Sequence, residues 1–415
     1  MFNISKDFAP PFKMIEPFFK FGSIIYVVAI FLLLLFDSTK SLEDFTIVGW
    51  AHLFLLGFVM ITIFGAMAQL VPVVLEVGHY NVDLYNRIYK ALSIGSIVMV
   101  IGFWFYPILL PIGGALVLFS MATFLYETLM TLKKTKANTL TVKSVKYGNY
   151  FLTVAIVIGF IMALAIGMGF NVAIDRLLPI HIVLVLFGYV TVTIIGLSMV
   201  LLPMFGLAHG YDDTNVEIAF KLLVTSVIAY SLLKAIGLKL LANIALIGIP
   251  IAIIFYLKQL IILYQIRARK ILDIWYQHIY VAFISLAVSL LFGLFGYFFE
   301  WSNSLKSALW LFTLGFFAFI INGHLLKIIP FLVWFERFSP LVGKKKVPML
   351  HEMLPNRDTN FSFWFSLAGL TFGAFGLLIG SDSLFKGGVT LLGFGAIFML
   401  KSVIFILNYS EEDYV

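Results

Sequence analysis

Long apolar stretches alternate with short polar segments along almost the whole chain. The first long stretch, residues 22–36, reads GSIIYVVAIFLLLLF and contains no charged residue. Apolar runs of this kind can cross the hydrocarbon core of a bilayer as helices. The pattern predicts twelve membrane spans, near residues 22–37, 49–75, 89–107, 110–131, 149–170, 178–204, 217–238, 241–264, 277–299, 307–333, 361–380 and 386–408.

A spaced motif of two glycines and a proline occurs three times inside these stretches. In each copy the second glycine follows the first by eight residues and the proline follows seven residues later: Gly57, Gly65 and Pro72; Gly188, Gly196 and Pro203; Gly315, Gly323 and Pro330. We expect about 0.1 such matches by chance, so an internal repeat is the better explanation. On a helix with about 100° per residue, the three positions fall within about 80° of one another. Each copy of this Gly-Gly-Pro motif therefore marks one face of a membrane helix.

The repeat extends beyond the motif. The offset of 131 residues between the first two copies also aligns FLYETL (124–129) with FYLKQL (255–260), and FMLKSV (398–403) follows in the third block. This alignment makes Glu127, Lys258 and Lys401 equivalent, and we expect their side chains to snorkel to the membrane interface. We expect the motif glycines to allow close helix packing.

The predicted fold class is an all-α polytopic membrane protein of about twelve helices, arranged as three pseudo-symmetric four-helix units. The repeat units cover approximately residues 20–146, 147–275 and 276–410 of a single integral membrane domain. The motif lies on the second helix of each unit.

Composition and charge agree with a membrane location. Hydrophobic residues make up 62% of the chain, charged residues 12%, and the mean hydropathy is +1.05. The first apolar stretch lacks a small-residue cleavage site and predicts an anchor helix instead of a cleavable signal. With the N-terminus inside, the cytoplasmic loops carry Lys133, Lys134, Lys136, Lys143, Lys146, Arg267, Arg269, Lys270, Arg337 and Lys344 to Lys346. This positive-inside asymmetry predicts two cytoplasmic termini in a bacterial inner membrane, and it accounts for the net charge of +7 without a nucleic-acid partner.

Histidines are the main candidate metal ligands, because the chain contains no cysteine. His52 and His181 begin spans two and six near the outer face, and His324 lies deeper, beside Gly323 of span ten. An ionisable group inside a membrane helix is a candidate functional residue, and imidazole is a common haem ligand. For each of these three histidines, a hydrogen bond to a neighbouring helix is the competing interpretation. Interfacial positions are expected for His79, His209, His278 and His351.

The spacing of the first two candidates argues against one shared target. His52 stands five residues before its first motif glycine and His181 stands seven before its own. On regular helices this difference corresponds to about 200° around the axis.

Two segments carry a family resemblance. AHLFLLGFVMITIFGAMAQLVPVVLEVG (51–78) resembles the second helix of haem-copper oxidase subunit I, and HIVLVLFGYVTVTIIGLSMVLLPMFG (181–206) resembles one of that superfamily's ligand-bearing helices. The resemblance implies haem held by His52 and His181, or by His324 in place of a missing ligand. It is also compatible with NnrS-type membrane proteins, which are associated with haem, copper and nitric oxide stress. Met67, Met199 and Met204 are candidate copper(I) ligands, with ordinary packing as the alternative.

The departures from the superfamily exclude an intact oxygen-reducing centre. Span six has no His-Pro-Glu-Val-Tyr sequence, and span seven (217–238) has no histidine. The tenth helix of the superfamily carries His-x-His, and the equivalent positions here are Ala308 and Trp310. The resemblance therefore implies the scaffold with a reduced set of ligands.

Three functions remain open from the sequence. The first is a membrane protein that binds haem, with copper as a second candidate, acting in electron transfer or in respiration or stress involving nitric oxide or oxygen, with a small gas as ligand. The second is a cofactor-free transporter or channel for a small solute, whose Gly- and Pro-containing helices would line a pathway. The third is an assembly partner for a respiratory complex, with histidines that bind nothing.

Overall fold

The computed structural model describes residues 10–413, and every regular element in this range is helical. Twelve helices there are long and apolar enough to cross a membrane, which confirms an all-α polytopic membrane protein. They are α1 Phe12–Leu35, α2 Phe45–Leu75, α3 Leu84–Trp104, α4 Pro107–Leu132, α5 Leu140–Met168, α6 Ile174–Gly206, α7 Thr214–Ala235, α8 Lys239–Ile266, α9 Ile274–Phe298, α10 Ser302–Arg337, α11 Asn356–Ile379 and α12 Asp382–Asn408.

Several helices begin where a polar side chain can satisfy the first free backbone N–H groups. Asp44 accepts a hydrogen bond from Thr46 N and caps α2, and Asp273 accepts from Tyr276 N and caps α9. These caps place the helix starts before the apolar runs. His52 and His181 were predicted to begin their helices, but they lie seven residues inside α2 and α6.

The motif glycines pack against the first helix of their own repeat unit. A Cβ built on Gly57, Gly188 or Gly315 would lie 2.8, 2.9 or 2.5 Å from the side chain of Ile25, Phe151 or Ser285, respectively. A Cβ on Gly65, Gly196 or Gly323 would lie 2.7, 2.3 or 2.8 Å from Phe18, Ser144 or His278, respectively. The two contacts on α1, on α5 and on α9 are each seven residues apart. The same close helix pair is thus built three times, as the packing interpretation predicted.

Each motif helix also contains a π-helical segment around its first glycine. The segments are Leu55–Met60 in α2, Leu184–Thr191 in α6 and Leu311–Phe317 in α10. π-Helical segments are rare and often occur at functional sites. In the most apolar part of these three helices, 78%, 72% and 83% of the residues are buried, compared with 28–50% in the other nine spans. The repeat therefore places its irregular helices where lipid does not reach them.

The chain forms two compact units. The middle unit comprises residues 69–271, and the terminal unit comprises residues 10–68 and 272–413, so the boundary falls within α2. The middle unit contains the packed pair α5 and α6. The terminal unit contains the pair α1 and the first part of α2, and the pair α9 and α10.

Candidate functional site

His52 lies in the terminal unit, half-buried on the first part of α2. Its Nδ1 atom is 2.8 Å from the carbonyl oxygen of Val48, one turn earlier on the same helix. Two residues before it, Trp50 Nε1 donates a hydrogen bond to Ala29 O of α1 at 2.8 Å. The indole bond fixes this end of α2 against α1, and the bond to Val48 fixes the imidazole ring on α2.

His181 lies in the middle unit, half-buried on α6. Its Nδ1 atom is 2.9 Å from Ala155 O of α5. Gly159 provides the space for the ring, because a Cβ there would lie 2.9 Å from His181 Cε1. This imidazole is therefore held by the neighbouring helix and not by its own.

His324 lies in the terminal unit, deep within α10. Its Nδ1 atom is 2.7 Å from Ile320 O. Its Nε2 atom is buried and has no hydrogen-bond partner within residues 10–413. The ring meets Trp275 of α9 edge-on, with the ring centroids 5.9 Å apart. One turn further along α10, Lys327 Nζ forms an ion pair of 2.6 Å with Asp273 Oδ2, so the polar surroundings of His324 extend to the start of α9.

The three histidines share one tautomeric arrangement. A carbonyl oxygen can only accept a hydrogen bond, so each neutral ring carries its proton on Nδ1 and its lone pair on Nε2. Histidines that bind metals commonly donate their second ring N–H to a carbonyl or carboxylate in this way, which orients the ring and raises its basicity. In this tautomer Nε2 is the ring nitrogen that carries the lone pair in each candidate.

The structure does not bring the three histidines together as one ligand set. His181 belongs to a different compact unit from the other two. Gly57 and Gly315 are equivalent, so His52 corresponds to position 310, which is 14 residues before His324. The two histidines therefore occupy different positions along their motif helices. No group of three or more His, Asp or Glu within residues 10–413 is placed to hold a metal ion.

The π-helical segments correct one expectation from the sequence. The angle of about 200° between His52 and His181 assumed regular helices with 100° per residue. The π segment of α2 begins at Leu55 and that of α6 at Leu184, so each lies between its histidine and the end of its motif, and the two differ in length. The wider turns change the register, so the angle of about 200° calculated for regular helices does not apply unchanged to α2 and α6.

His278 was predicted to be interfacial, but its side chain is buried in the terminal unit. Its exposed fraction is 2%, its Nδ1 atom is 2.8 Å from Ile274 O, and its ring packs between Phe319 and Phe363. Gly323 makes room for it. It is thus a core residue at a close contact of α9 with α10. Of the candidate copper ligands, Met67 is buried and Met199 and Met204 are half-buried.

A buried carboxylate cluster in the middle unit was missed by the sequence reasoning. Glu127 of α4 is 1% exposed. Its Oε1 atom accepts hydrogen bonds from His79 Nδ1 at 2.9 Å, from Tyr80 N at 3.1 Å and from Thr131 Oγ1 at 2.8 Å, and its Oε2 atom accepts from Tyr85 OH at 2.8 Å. The carboxylate therefore ties the loop after α2 to α3 and α4, and the prediction that it snorkels to the interface is wrong.

The two lysines that the repeat alignment pairs with Glu127 have different surroundings from it. Lys258 and Lys401 are exposed, whereas the next residues, Gln259 and Ser402, are buried. Gln259 Nε2 donates a hydrogen bond of 2.9 Å to Asp212 O, which lies in the loop after α6. Glu127 similarly bonds to a loop, the one after α2, but as an acceptor.

No protein-family model matches the chain, and a search of curated proteins finds no relative.

Proposed function

We propose that this chain is a haem-binding protein of the bacterial inner membrane, built on the helix arrangement of haem-copper oxidase subunit I and lacking a copper-containing oxygen-reducing centre. One observation carries the proposal. On each of the three repeated, π-containing helices, a histidine is held through Nδ1 by a backbone carbonyl, so that Nε2 carries the lone pair. Backbone anchoring of this kind is typical of metal-binding histidines.

His324 offers an additional argument, because its Nε2 atom is buried without a protein partner. A buried nitrogen lone pair without a hydrogen bond costs free energy, and a metal ion would satisfy it. His52 and His324 occupy different positions along their motif helices, 14 residues apart in the repeat alignment, so each would hold a haem as a separate candidate ligand. Copper is a second candidate metal for the same nitrogen atoms.

A haem with one histidine ligand would supply an open coordination position for a small gas such as nitric oxide. The part of the protein in this chemistry is to orient the imidazole and to exclude water. Val48 O and Ala155 O orient the rings of His52 and His181, and the large buried side chains along α2 and α6 provide apolar surroundings. We propose a role in electron transfer, or in respiration or stress involving nitric oxide or oxygen, with both termini in the cytoplasm.

The packing of the glycines favours this function over a solute pathway. A transporter would use the glycine face of the motif helices to line its route. Here all six motif glycines are in close contact with α1, α5 or α9. That face is therefore not available to a solute.

Single histidine variants test the proposal. His52→Ala, His181→Ala and His324→Ala are purified after haem-replete expression, with His209→Ala as the control, because His209 is an exposed loop residue. We expect at least one of the three to lose most of the Soret absorbance per protein while the control keeps it. Equal absorbance in all four variants would contradict the assignment of ligands.

A further inference from the structure

Four buried polar side chains in the middle unit have atoms without a protein partner. They are Ser144 and Asn149 of α5, and Tyr189 and Thr193 of α6, and none is more than 2% exposed. The hydroxyl groups of the serine, tyrosine and threonine, and both amide atoms of the asparagine, make no hydrogen bond to any residue within 10–413. Few buried polar groups in proteins lack a partner, and α5 and α6 hold five such atoms, compared with four on α1 and α2.

These residues follow the contact between α5 and α6. A Cβ built on Gly148 would lie 3.0 Å from Thr193 Oγ1 and 3.7 Å from Tyr189 Cδ2, and Asn149 is the next residue along α5. One turn before Gly148, Ser144 packs on Gly196. Thr193 and Tyr189 therefore lie at the contact of α6 with Gly148, and Ser144 lies at the contact with Gly196 about one turn away.

The other repeat units fill part of the same place with rings. Tyr189 follows the first motif glycine directly, and the equivalent residues are Phe58 and Phe316, which are fully buried. Ser144 corresponds to Phe18 in the first unit, because both face the second motif glycine. The first unit keeps the other two positions polar: Ser23 corresponds to Asn149 and Thr62 to Thr193, and their hydroxyl groups also lack a partner within residues 10–413. The middle unit therefore differs from the first at Tyr189 and Ser144, where the first unit has rings.

The hydrogen-bonding groups of the four side chains indicate which kind of ligand fits them. The hydroxyl groups can donate or accept, and the amide offers two donor hydrogens and one acceptor oxygen. None of the four is charged. The nearby Glu127 carboxylate already accepts four hydrogen bonds, so it leaves little capacity for a bound cation. A small neutral molecule that both donates and accepts fits this set, and water is the one that reaches buried polar groups in proteins.

We propose that Asn149, Tyr189 and Thr193, with Ser144 beside them, form a buried hydration site that binds a small cluster of ordered water molecules between α5 and α6. The site is independent of any haem.

Radiolytic hydroxyl-radical labelling with mass spectrometry tests the site in the intact protein. Radicals formed from bound water label an adjacent ring even when bulk solvent does not reach it. We expect Tyr189 to be labelled several-fold faster than Tyr256, a fully buried tyrosine of the same unit whose hydroxyl donates to Ser198 Oγ at 2.8 Å. Labelling of Tyr189 no faster than Tyr256 would overturn the proposal.

Thermal unfolding of Tyr189→Phe gives a second, independent test. The substitution creates the residue already used at positions 58 and 316, so it introduces no steric conflict. If water occupies the site, it loses a partner, and we expect the midpoint to fall by about 2–4 °C. If the site is dry, the substitution removes an unsatisfied hydroxyl, and the unfolding midpoint should stay the same or rise. A raised or unchanged midpoint would therefore overturn the proposal. If the variant does not fold, the labelling of the wild-type protein decides the question.

Discussion

Gly323 of α10 lies directly against His278 of α9, with room for no side chain between them: a Cβ on the glycine would be 2.8 Å from the histidine Cβ. The equivalent contacts elsewhere are Gly65 with Phe18 and Gly196 with Ser144. The glycine is common to all three, whereas its partner is a ring, a hydroxyl or an imidazole. The repeat thus preserves the approach of two helices and varies the chemistry at the point of contact.

The glycine contacts predict a large effect of adding one methyl group. Gly196→Ala would place its Cβ 2.3 Å from Ser144 Cβ, an atom held close to the backbone of α5 that cannot rotate away. We expect the free energy of unfolding to fall by about 1–3 kcal/mol, the usual cost of overpacking. Unfolding in detergent, followed by circular dichroism, measures the change.

Gly387→Ala is the matched control. This glycine also lies inside a helix, α12, but a Cβ there would meet nothing within 4 Å. Since alanine is the better helix former, we expect this variant to gain up to about 1 kcal/mol. Equal losses in Gly196→Ala and Gly387→Ala would show that close contact is not the reason for the first glycine.

Removal of the Glu127 carboxylate should destabilise the middle unit strongly. Glu127→Ala leaves the buried donors of His79, Tyr85 and Thr131 without their acceptor. We expect a loss of about 3 kcal/mol, because breaking a buried ionic or hydrogen-bonded cluster from one side leaves the rest uncompensated. Chemical denaturation of the purified variant measures this loss.

Lys258→Ala provides the comparison for Glu127→Ala. The sequence alignment made these residues equivalent, but the lysine side chain is exposed. We expect a change within about 0.5 kcal/mol, as for most surface substitutions. A loss in Lys258→Ala as large as that in Glu127→Ala would support the original alignment and contradict the buried cluster.

The Asp44 carboxylate that caps α2 predicts that the stability of the protein depends on pH under acidic conditions. The hydroxyl and backbone N–H of Thr46 donate to the Asp44 carboxylate and hold its pKa below the ordinary value of 3.8, with a smaller contribution from Lys40. The stabilisation is therefore fully present above pH 3.8, the ordinary value that applies to the unfolded chain, and is lost as the pH falls through the lower pKa of the folded state.

Asp44→Asn tests this dependence, because asparagine also caps helices but does not titrate in this range. We expect the difference in unfolding midpoint between wild type and variant to stay constant from neutral pH down to about pH 4, since both caps are then intact. Below about pH 4 the wild-type protein should lose stability relative to Asp44→Asn. A difference that already changes between pH 7 and pH 5 would contradict the role of Asp44.

The sequence predicted the fold well where the physical signal is repeated. Twelve apolar runs were sufficient to predict twelve spans, and the Gly-Gly-Pro motif predicted which helices pack closely. The motif could not indicate the π segments, because their backbone geometry depends on tertiary packing around Gly57, Gly188 and Gly315. The helix starts were predicted too late since caps such as Asp44 lie outside the apolar runs.

The sequence predicted the candidate site less well than it predicted the fold. His52, His181 and His324 could be selected because each is a polar residue on a motif helix. Their Nδ1 bonds to backbone carbonyls depend on side-chain rotamers and, for His181, on a different helix. Glu127 was misjudged because a single carboxylate near a helix end usually faces solvent, and its partners His79 and Tyr85 lie more than 40 residues away in the sequence.

The optical spectrum of the purified wild-type protein, oxidised and then reduced with dithionite, tests the central claim most directly when combined with iron and copper analysis. A haem-binding protein should show a Soret band that shifts and sharpens on reduction, with close to one iron per bound haem. A spectrum without a Soret band, and no iron or copper after haem-replete expression, would contradict the haem assignment.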